Sequence, residues 1–503
     1  MNGKHAQVAM ICEGTYPYVS GGVSQWIHEI VTSMPDVSFR IVFIGGDRSS
    51  YGEPRYQVPP NVVEVEEHFI MESRHRIKAR TGGENPEAFA DVTKLHNWLR
   101  GRLQKAEPGV MDRIFKNTGK PKYLTREHFL FSKYAWLEIS SRYAKYCTDP
   151  SFLDYFWTVR TIHEPLFRLS AAALKGPRGD IVHSISTGYA GYFGFLLSKI
   201  YGSPYVLTEH GIYTKERKLD LAQAEWIKDP QEVFFSGIDE EMGYVRRLWI
   251  RFFEGLGRLA YGQAGVIVSL MESNRLRQVR DGADAAKTRI IPNGIDVARF
   301  APLRSDKKPG RPPVIGFIGR VVPIKDLKTF LRSARVVLDQ IPAAKFLIIG
   351  PDAEDQEYAR ECRMLAATLG VENSVEFTGM MKTEGALARL DLLALTSVSE
   401  GLPLVILEAF AAGIPVVSTD VGACRELIEG RAPQDREIGP SGLVAQIADP
   451  SAIGAAMVMI LNNAALYRAM SASAIRRASA LYDRAEMIAS YRSLYLEAQL
   501  WQG

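Results

Sequence analysis

Short apolar runs alternate with longer stretches of helical periodicity over most of the chain. Residues 8–11 are wholly apolar, a glycine-bearing loop occupies 13–22, and 23–34 is amphipathic with the period of a helix. Further runs at 40–44, 181–184, 205–208, 266–269 and 289–291 predict strands, with helix-like segments between several of them. Strands alternating with helices predict a parallel sheet covered on both faces. The order breaks down at about 66–175, a charged and aromatic region with helical periodicity near 95–103 and 129–146, which reads as a helical insertion on the first domain.

Residues 303–313 have no apolar period and are rich in charge and proline, as an exposed linker is. Beyond them strands are predicted at 314–318, 346–349, 375–378, 392–396, 415–418 and 442–444, each separated by a helix-like segment, which gives a second doubly wound sheet. The last segment, near 483–501, reads as one amphipathic helix. The expected organisation is α/β: a first Rossmann-like domain over 1–302, a second over 303–482, and a helix over 483–503 packing back on the first.

Length agrees with two domains, because single cores stop growing at about 250–300 residues and this chain has 503. Apolar residues at 46% and charged residues at 23% argue against a disordered or fibrous chain. The formal charge is +4, from 61 basic and 57 acidic side chains, so no global field draws the protein to nucleic acid and any anion site must be local. The densest basic run, Arg74-His75-Arg76-Ile77-Lys78-Ala79-Arg80, reads as a solvated loop. Cys12, Cys147, Cys362 and Cys424 lie far apart without a CxxC pair, which suggests neither a zinc site nor a disulfide framework and fits a reducing cytoplasm. No signal-peptide pattern and no run of ~20 apolar residues occurs, so work at a membrane would require recruitment by a partner.

The most informative chemistry lies in Glu400-Gly401-Leu402-Pro403-Leu404-Val405-Ile406-Leu407-Glu408, just after a predicted strand. Pro403 suits the first turn of a helix, where its missing N–H costs nothing. A helix beginning there presents the free amides of Gly401, Leu402 and Leu404 and the positive end of its dipole, a ready site for a diphosphate. Glu408 then sits roughly 7–8 Å further along the axis, about the distance from a diphosphate to the ribose of the same nucleotide. Glu400 is left in the preceding loop, on the side where a sugar would lie. Two glutamates eight apart could be chance; the glycine, the proline and the apolar helix ending in Ala411-Ala412-Gly413 are what favour a site.

At these residues the sequence resembles the family 4 retaining glycosyltransferases of GT-B fold. Other parts of that pattern occur in order: Gly21-Gly22, Thr208-Glu209-His210-Gly211, Pro292-Asn293-Gly294-Ile295-Asp296, and Gly319-Arg320 followed by Lys325. The opening Ile11-Cys12-Glu13-Gly14-Thr15-Tyr16-Pro17-Tyr18-Val19-Ser20-Gly21-Gly22-Val23-Ser24, with the insertion, is similar to the PelF group that serves bacterial Pel exopolysaccharide synthesis. The resemblance implies two doubly wound Rossmann-like domains facing across a cleft. It implies transfer of a hexose or N-acetylhexosamine from a UDP-sugar to a glycan acceptor with retention, in the cytoplasm, with inner-membrane synthase subunits as partners.

Position by position, the resemblance assigns Arg320 and Lys325 to the donor phosphates, Glu408 to the ribose and Glu400 to the donor sugar. Cations and a helix N-terminus at that place stabilise the charge that develops on a departing diphosphate. His210, expected at the carboxyl end of a first-domain strand, is assigned to the donor sugar near the reacting carbon. Gly22 permits close backbone approach, with Ser20 a plausible N-cap. Asn293 and Gly294 read as a structural turn. Gly255-Leu256-Gly257-Arg258-Leu259-Ala260 has glycines spaced like a dinucleotide fingerprint, but it lies in a helix-like stretch with no strand before it. No paired-aspartate metal motif occurs, so metal-independent transfer is expected. A catalytically idle sugar-nucleotide scaffold and a GT-B epimerase remain open, as does the choice among glucose, N-acetylglucosamine and N-acetylgalactosamine.

Overall fold

The computed structural model describes residues 5–71, 85–101, 107–148, 151–222, 243–304 and 311–502. The basic run 74–80 and most of the 303–313 linker lie outside them. The chain divides into two compact units, one of Met1–Ser269, Asn274–Ile290 and Tyr491–Gly503, the other of Leu270–Ser273 and Ile291–Ser490.

The first unit holds strands β1 (Val8–Glu13), β2 (Phe39–Gly45), β3 (Val62–Phe69), β4 (Ile181–Ser184), β5 (Tyr205–Glu209), β6 (Val266–Ser269) and β7 (Thr288–Ile290). They form one parallel sheet in the order β3-β2-β1-β4-β5-β6-β7. Its central strands are apolar runs because helices cover both faces; Val8, Ala9, Met10 and Ile11 are fully buried. The insertion begins after β3 rather than at about 66; the Val-Val-Glu-Val-Glu-Glu-His-Phe sequence of this unpredicted strand is only partly buried at the sheet edge and looks polar in a linear scan.

The insertion is helical. Its principal helices are Pro86–Leu99, Lys133–Tyr146 and Phe152–Ala173, each started by a side-chain cap from Asn85, Ser132 or Ser151. They share a small aromatic core that includes Phe89, Phe129, Ile139 and Tyr155.

The second unit holds β8 (Val314–Ile318), β9 (Lys345–Ile349), β10 (Val375–Gly379), β11 (Leu392–Leu395), β12 (Val416–Thr419) and β13 (Gly442–Ala445). Their order is β10-β9-β8-β11-β12-β13, all parallel, with the strand order reversing between β8 and β11. The unit starts at Ile291 rather than at 303, because Ile295, Val297 and Phe300 are buried in its core. The final helix, Arg484–Gln499, starts in the second unit and ends in the first. There the Tyr495 hydroxyl lies 2.8 Å from His183 Nδ1, and Arg492 pairs with Asp36 at 2.5 Å.

Candidate functional site

In an open doubly wound sheet, ligands bind outside the carboxyl ends of the strands where the strand order reverses. In the second unit that place lies between β8 and β11, and both sequence-identified segments emerge there. Gly319, Arg320 and Lys325 follow β8; Ser397, Glu400 and the Leu404–Ala411 helix follow β11.

The two loops are stitched together. Val398 N donates to Ile324 O at 2.9 Å, and the Thr396 hydroxyl reaches the carbonyls of Lys325 and Asp326 at 3.1 and 3.0 Å. Asp326 takes a left-handed conformation, φ 44°, and caps the Leu327–Gln340 helix. This holds Lys325 with its Nζ 2.5 Å from Glu400 Oε1, which also accepts from Ser397 Oγ at 2.5 Å. The pair is largely shielded, with the two side chains 21% and 10% exposed.

The helix after Glu400 starts at Leu404, with Pro403 at the N-cap and no side chain capping it. Its first amides are therefore not taken by a cap. Glu408 lies one turn inside. Arg299 is held above its ordinary pKa first by its hydrogen bond to Glu384 and also by the nearby Glu408 carboxylate. Arg320 is engaged differently: its guanidinium pairs with Glu354, which follows β9, at 2.6 Å, and both side chains are about half exposed. The structure thus joins Lys325 to Glu400 and gives Arg320 another partner.

In the first unit, His210 directly follows β5. Its ring meets the Trp26 indole edge to face at 4.6 Å, and its Nε2 is buried with no hydrogen-bond partner among the described residues. Burial lowers its pKa to about 4, so the ring is neutral at pH 7. The adjacent Glu209 is structural: it is buried and accepts from Tyr261, Gln278 and Thr187.

The Tyr189–Tyr201 helix after β4 is already served by the chain. Glu13 Oε2 accepts from Ala190 N at 3.0 Å, and Glu13 Oε1 from the Tyr213 hydroxyl at 2.7 Å. An internal carboxylate occupies that helix N-terminus, whereas no side chain caps the corresponding one in the second unit.

The helix after β1 starts at Gly22 with Gly21 at its N-cap and no side-chain cap, so Ser20 is not the cap. A Cβ at Gly21 or Gly22 would meet no protein atom within 4 Å, so packing alone does not demand glycine there. Gly294 is structural, since a Cβ there would lie 2.6 Å from Arg484 Cα. Gly255 to Ala260 lie inside the Tyr244–Gln263 helix, where no dinucleotide turn can form.

Sequence reasoning passed over Ser397, Thr396, Trp26 and Gly422. A Cβ at Gly422 would come within 2.3 Å of the Glu400 carbonyl, and its φ is +54°. Its glycine in the loop after β12 was the available signal.

Comparison with known proteins bears on this geometry. Residues 312–463 match the model described as glycosyl transferases group 1. Residues 6–286 match a domain of unknown function, DUF3492. D-inositol 3-phosphate glycosyltransferase of Corynebacterium jeikeium is 27% identical over 297 residues, 55% of this chain and 62% of that protein, so the match spans under two thirds of the relative. The same-named protein of Salinispora arenicola is 26% identical over 339 residues, 63% of this chain and 69% of that one.

Among solved structures, Anabaena HepE in complex with UDP aligns with TM-score 0.60 and 14% identity, covering 98% of this chain and 100% of that chain. Sucrose-phosphate synthase from Thermosynechococcus elongatus aligns with TM-score 0.56 and 15% identity, covering 98% and 99%. These likenesses show the fold, which is GT-B. The chain belongs to the family described as a domain of unknown function, DUF3492, and joins that domain to a glycosyl transferases group 1 domain.

Proposed function

We propose that the chain is a retaining glycosyltransferase that moves a hexose or N-acetylhexosamine from a UDP-sugar to a growing Pel-type exopolysaccharide in the cytoplasm. The donor sits on the second unit and the acceptor on the first. The observation that carries this reading is the Lys325–Glu400 pair at the strand-order reversal, beside a helix start that no side chain caps.

In the reaction the bond from the sugar's anomeric carbon to phosphate breaks and its electron pair leaves with the diphosphate. Lys325 and the amides at Leu404 stabilise that charge as it develops. Glu408 accepts from the ribose, and Glu400 orients the sugar hydroxyls. The acceptor oxygen attacks from the face the diphosphate leaves, and its proton passes to a diphosphate oxygen. The resemblance assigns His210 of the first unit to the sugar, for which its neutral ring offers a hydrogen-bonding group without adding charge.

Support for a UDP donor comes from HepE, which was solved with UDP. Support for a Pel-type acceptor, and for docking on inner-membrane synthase subunits, comes from the resemblance of the 11–24 segment and the insertion to the PelF group.

The test is UDP release by the purified protein with UDP-glucose, UDP-N-acetylglucosamine and UDP-N-acetylgalactosamine, with and without acceptor glycan. Release that requires acceptor supports the transferase, and Glu400→Ala should bind donor yet release none. Release without acceptor points to other chemistry. Binding without any release by the wild-type protein would favour the idle scaffold.

A further inference from the structure

The insertion and the Tyr244–Gln263 helix of the first unit line an apolar cavity of about 120 Å³, whose walls include Leu95, Ile114, Phe115, Val159, Ile162 and Phe252. If ~10–15 Å³ of such space holds one water, it takes roughly ten non-hydrogen atoms.

One wall is charged. Glu138 accepts from Thr93 Oγ1 at 2.7 Å, from His96 Nδ1 at 2.8 Å and from Arg142 Nε. Arg142 Nη2 donates to Thr93 O at 2.9 Å and to Asn97 Oδ1 at 3.2 Å. Its Nη1 is buried with no hydrogen-bond partner among the described residues, although the residue is only 8% exposed. The Thr118 hydroxyl, also on the lining, is buried and unpartnered in the same sense.

Two histidines, His96 and His163, extend this wall. His163 Nδ1 lies 2.6 Å from the Val159 carbonyl, which can only accept, so His163 donates there and accepts at Nε2. The group 3.0 Å from that Nε2 is His96 Nε2, which must donate. His96 Nδ1 lies 2.8 Å from the Glu138 carboxylate, so both ring nitrogens of His96 are engaged. Burial disfavours the Glu138 anion, but the hydrogen bond and charge of His96 and the charge of Arg142 outweigh it and bring its pKa to about 2. Burial and the charge of His96 push His163 down to about 3, so that ring is neutral.

Three arginines, Arg142, Arg100 and Arg251, and one acid, Glu138, therefore line the apolar space. A buried excess charge is costly unless paired.

We propose that this cavity is a binding site for a medium-chain carboxylate, its anionic head on Arg142 Nη1 and its alkyl chain of about ten atoms among Leu95, Ile162 and Phe252.

The test is calorimetric titration of the full chain with decanoate below its micelle concentration, with decanol as the uncharged control. Decanoate should bind saturably at one site, and decanol at least about tenfold more weakly. Arg142→Met and Ile162→Trp should each weaken decanoate binding by at least about tenfold. Arg142→Met also strips a partner from Glu138; should it not fold, Ile162→Trp, which fills the cavity and leaves the polar network intact, decides. No saturable binding, equal affinity for decanol, or undiminished binding in Ile162→Trp would overturn the proposal.

Discussion

A Cβ on Gly422 would stand 2.3 Å from the carbonyl oxygen of Glu400 and 2.5 Å from that of Gly401, so the loop after β12 closes directly on the backbone that carries the site. The contact is reinforced by Ala423 N, which donates to Gly401 O at 3.0 Å. Gly422→Ala must both adopt φ near +54° and push Glu400 aside. It is expected to destabilise the protein by about 1–2 kcal/mol from the left-handed backbone alone. Displacing Glu400 by an ångström should cost transfer about 100-fold. Urea unfolding and UDP release check the two effects separately.

Lys325→Met leaves the Glu400 carboxylate, 10% exposed, without its ammonium. Losing one partner of a buried pair costs ~3–5 kcal/mol, and the partial exposure of Lys325 should keep the loss below that range. Adding Glu400→Gln removes the stranded charge. The double variant should therefore regain stability relative to Lys325→Met while remaining inactive, a split that a double-mutant cycle on stability and on UDP release measures.

Most of this arrangement was legible in the sequence because parallel strands are continuous apolar runs. The runs at 8–11, 181–184, 266–269 and 314–318 became β1, β4, β6 and β8 to within two residues at each end. The Pro403 signal placed the helix start within one residue of Leu404. What escaped were features set by tertiary contact. β3 is an acidic edge strand, and Gly21 displaced Ser20 as the N-cap. The Arg320–Glu354 and Lys325–Glu400 pairings join residues 34 and 75 apart, which no local pattern encodes. The charged wall of the insertion cavity was hidden for the same reason, since Thr93, His96, Glu138 and His163 come from three helices.

Stability should fall in mild acid. Burial lowers the pKa of His183 from 6.5 to about 3, where it lies between the Tyr495 and Thr208 hydroxyls. The unfolded chain thus binds a proton that the folded one refuses between those values. The stabilisation is complete above pH 6.5 and is lost on acidification at about 1.4 kcal/mol per pH unit. Buried His163 and His210, lowered to about 3 and about 4, add to it in the same direction, so urea unfolding at pH 7, 6 and 5 should show a steeper total slope, which His183→Gln should reduce by one proton.

Metal-independent transfer is a further expectation. Excess EDTA should leave acceptor-dependent UDP release unchanged, and added Mg²⁺ or Mn²⁺ should not raise it. Loss of activity with EDTA, restored by a divalent ion, would require a metal at the diphosphate.

The most direct measurement is titration of UDP into the wild-type chain and into Lys325→Met. If the strand-order reversal of the second unit is the donor site, the wild-type protein binds one UDP and the variant binds it at least about tenfold more weakly, the loss of one charge-assisted contact to phosphate. Equal affinity in the two proteins, or no binding by the wild-type chain, would contradict the assignment.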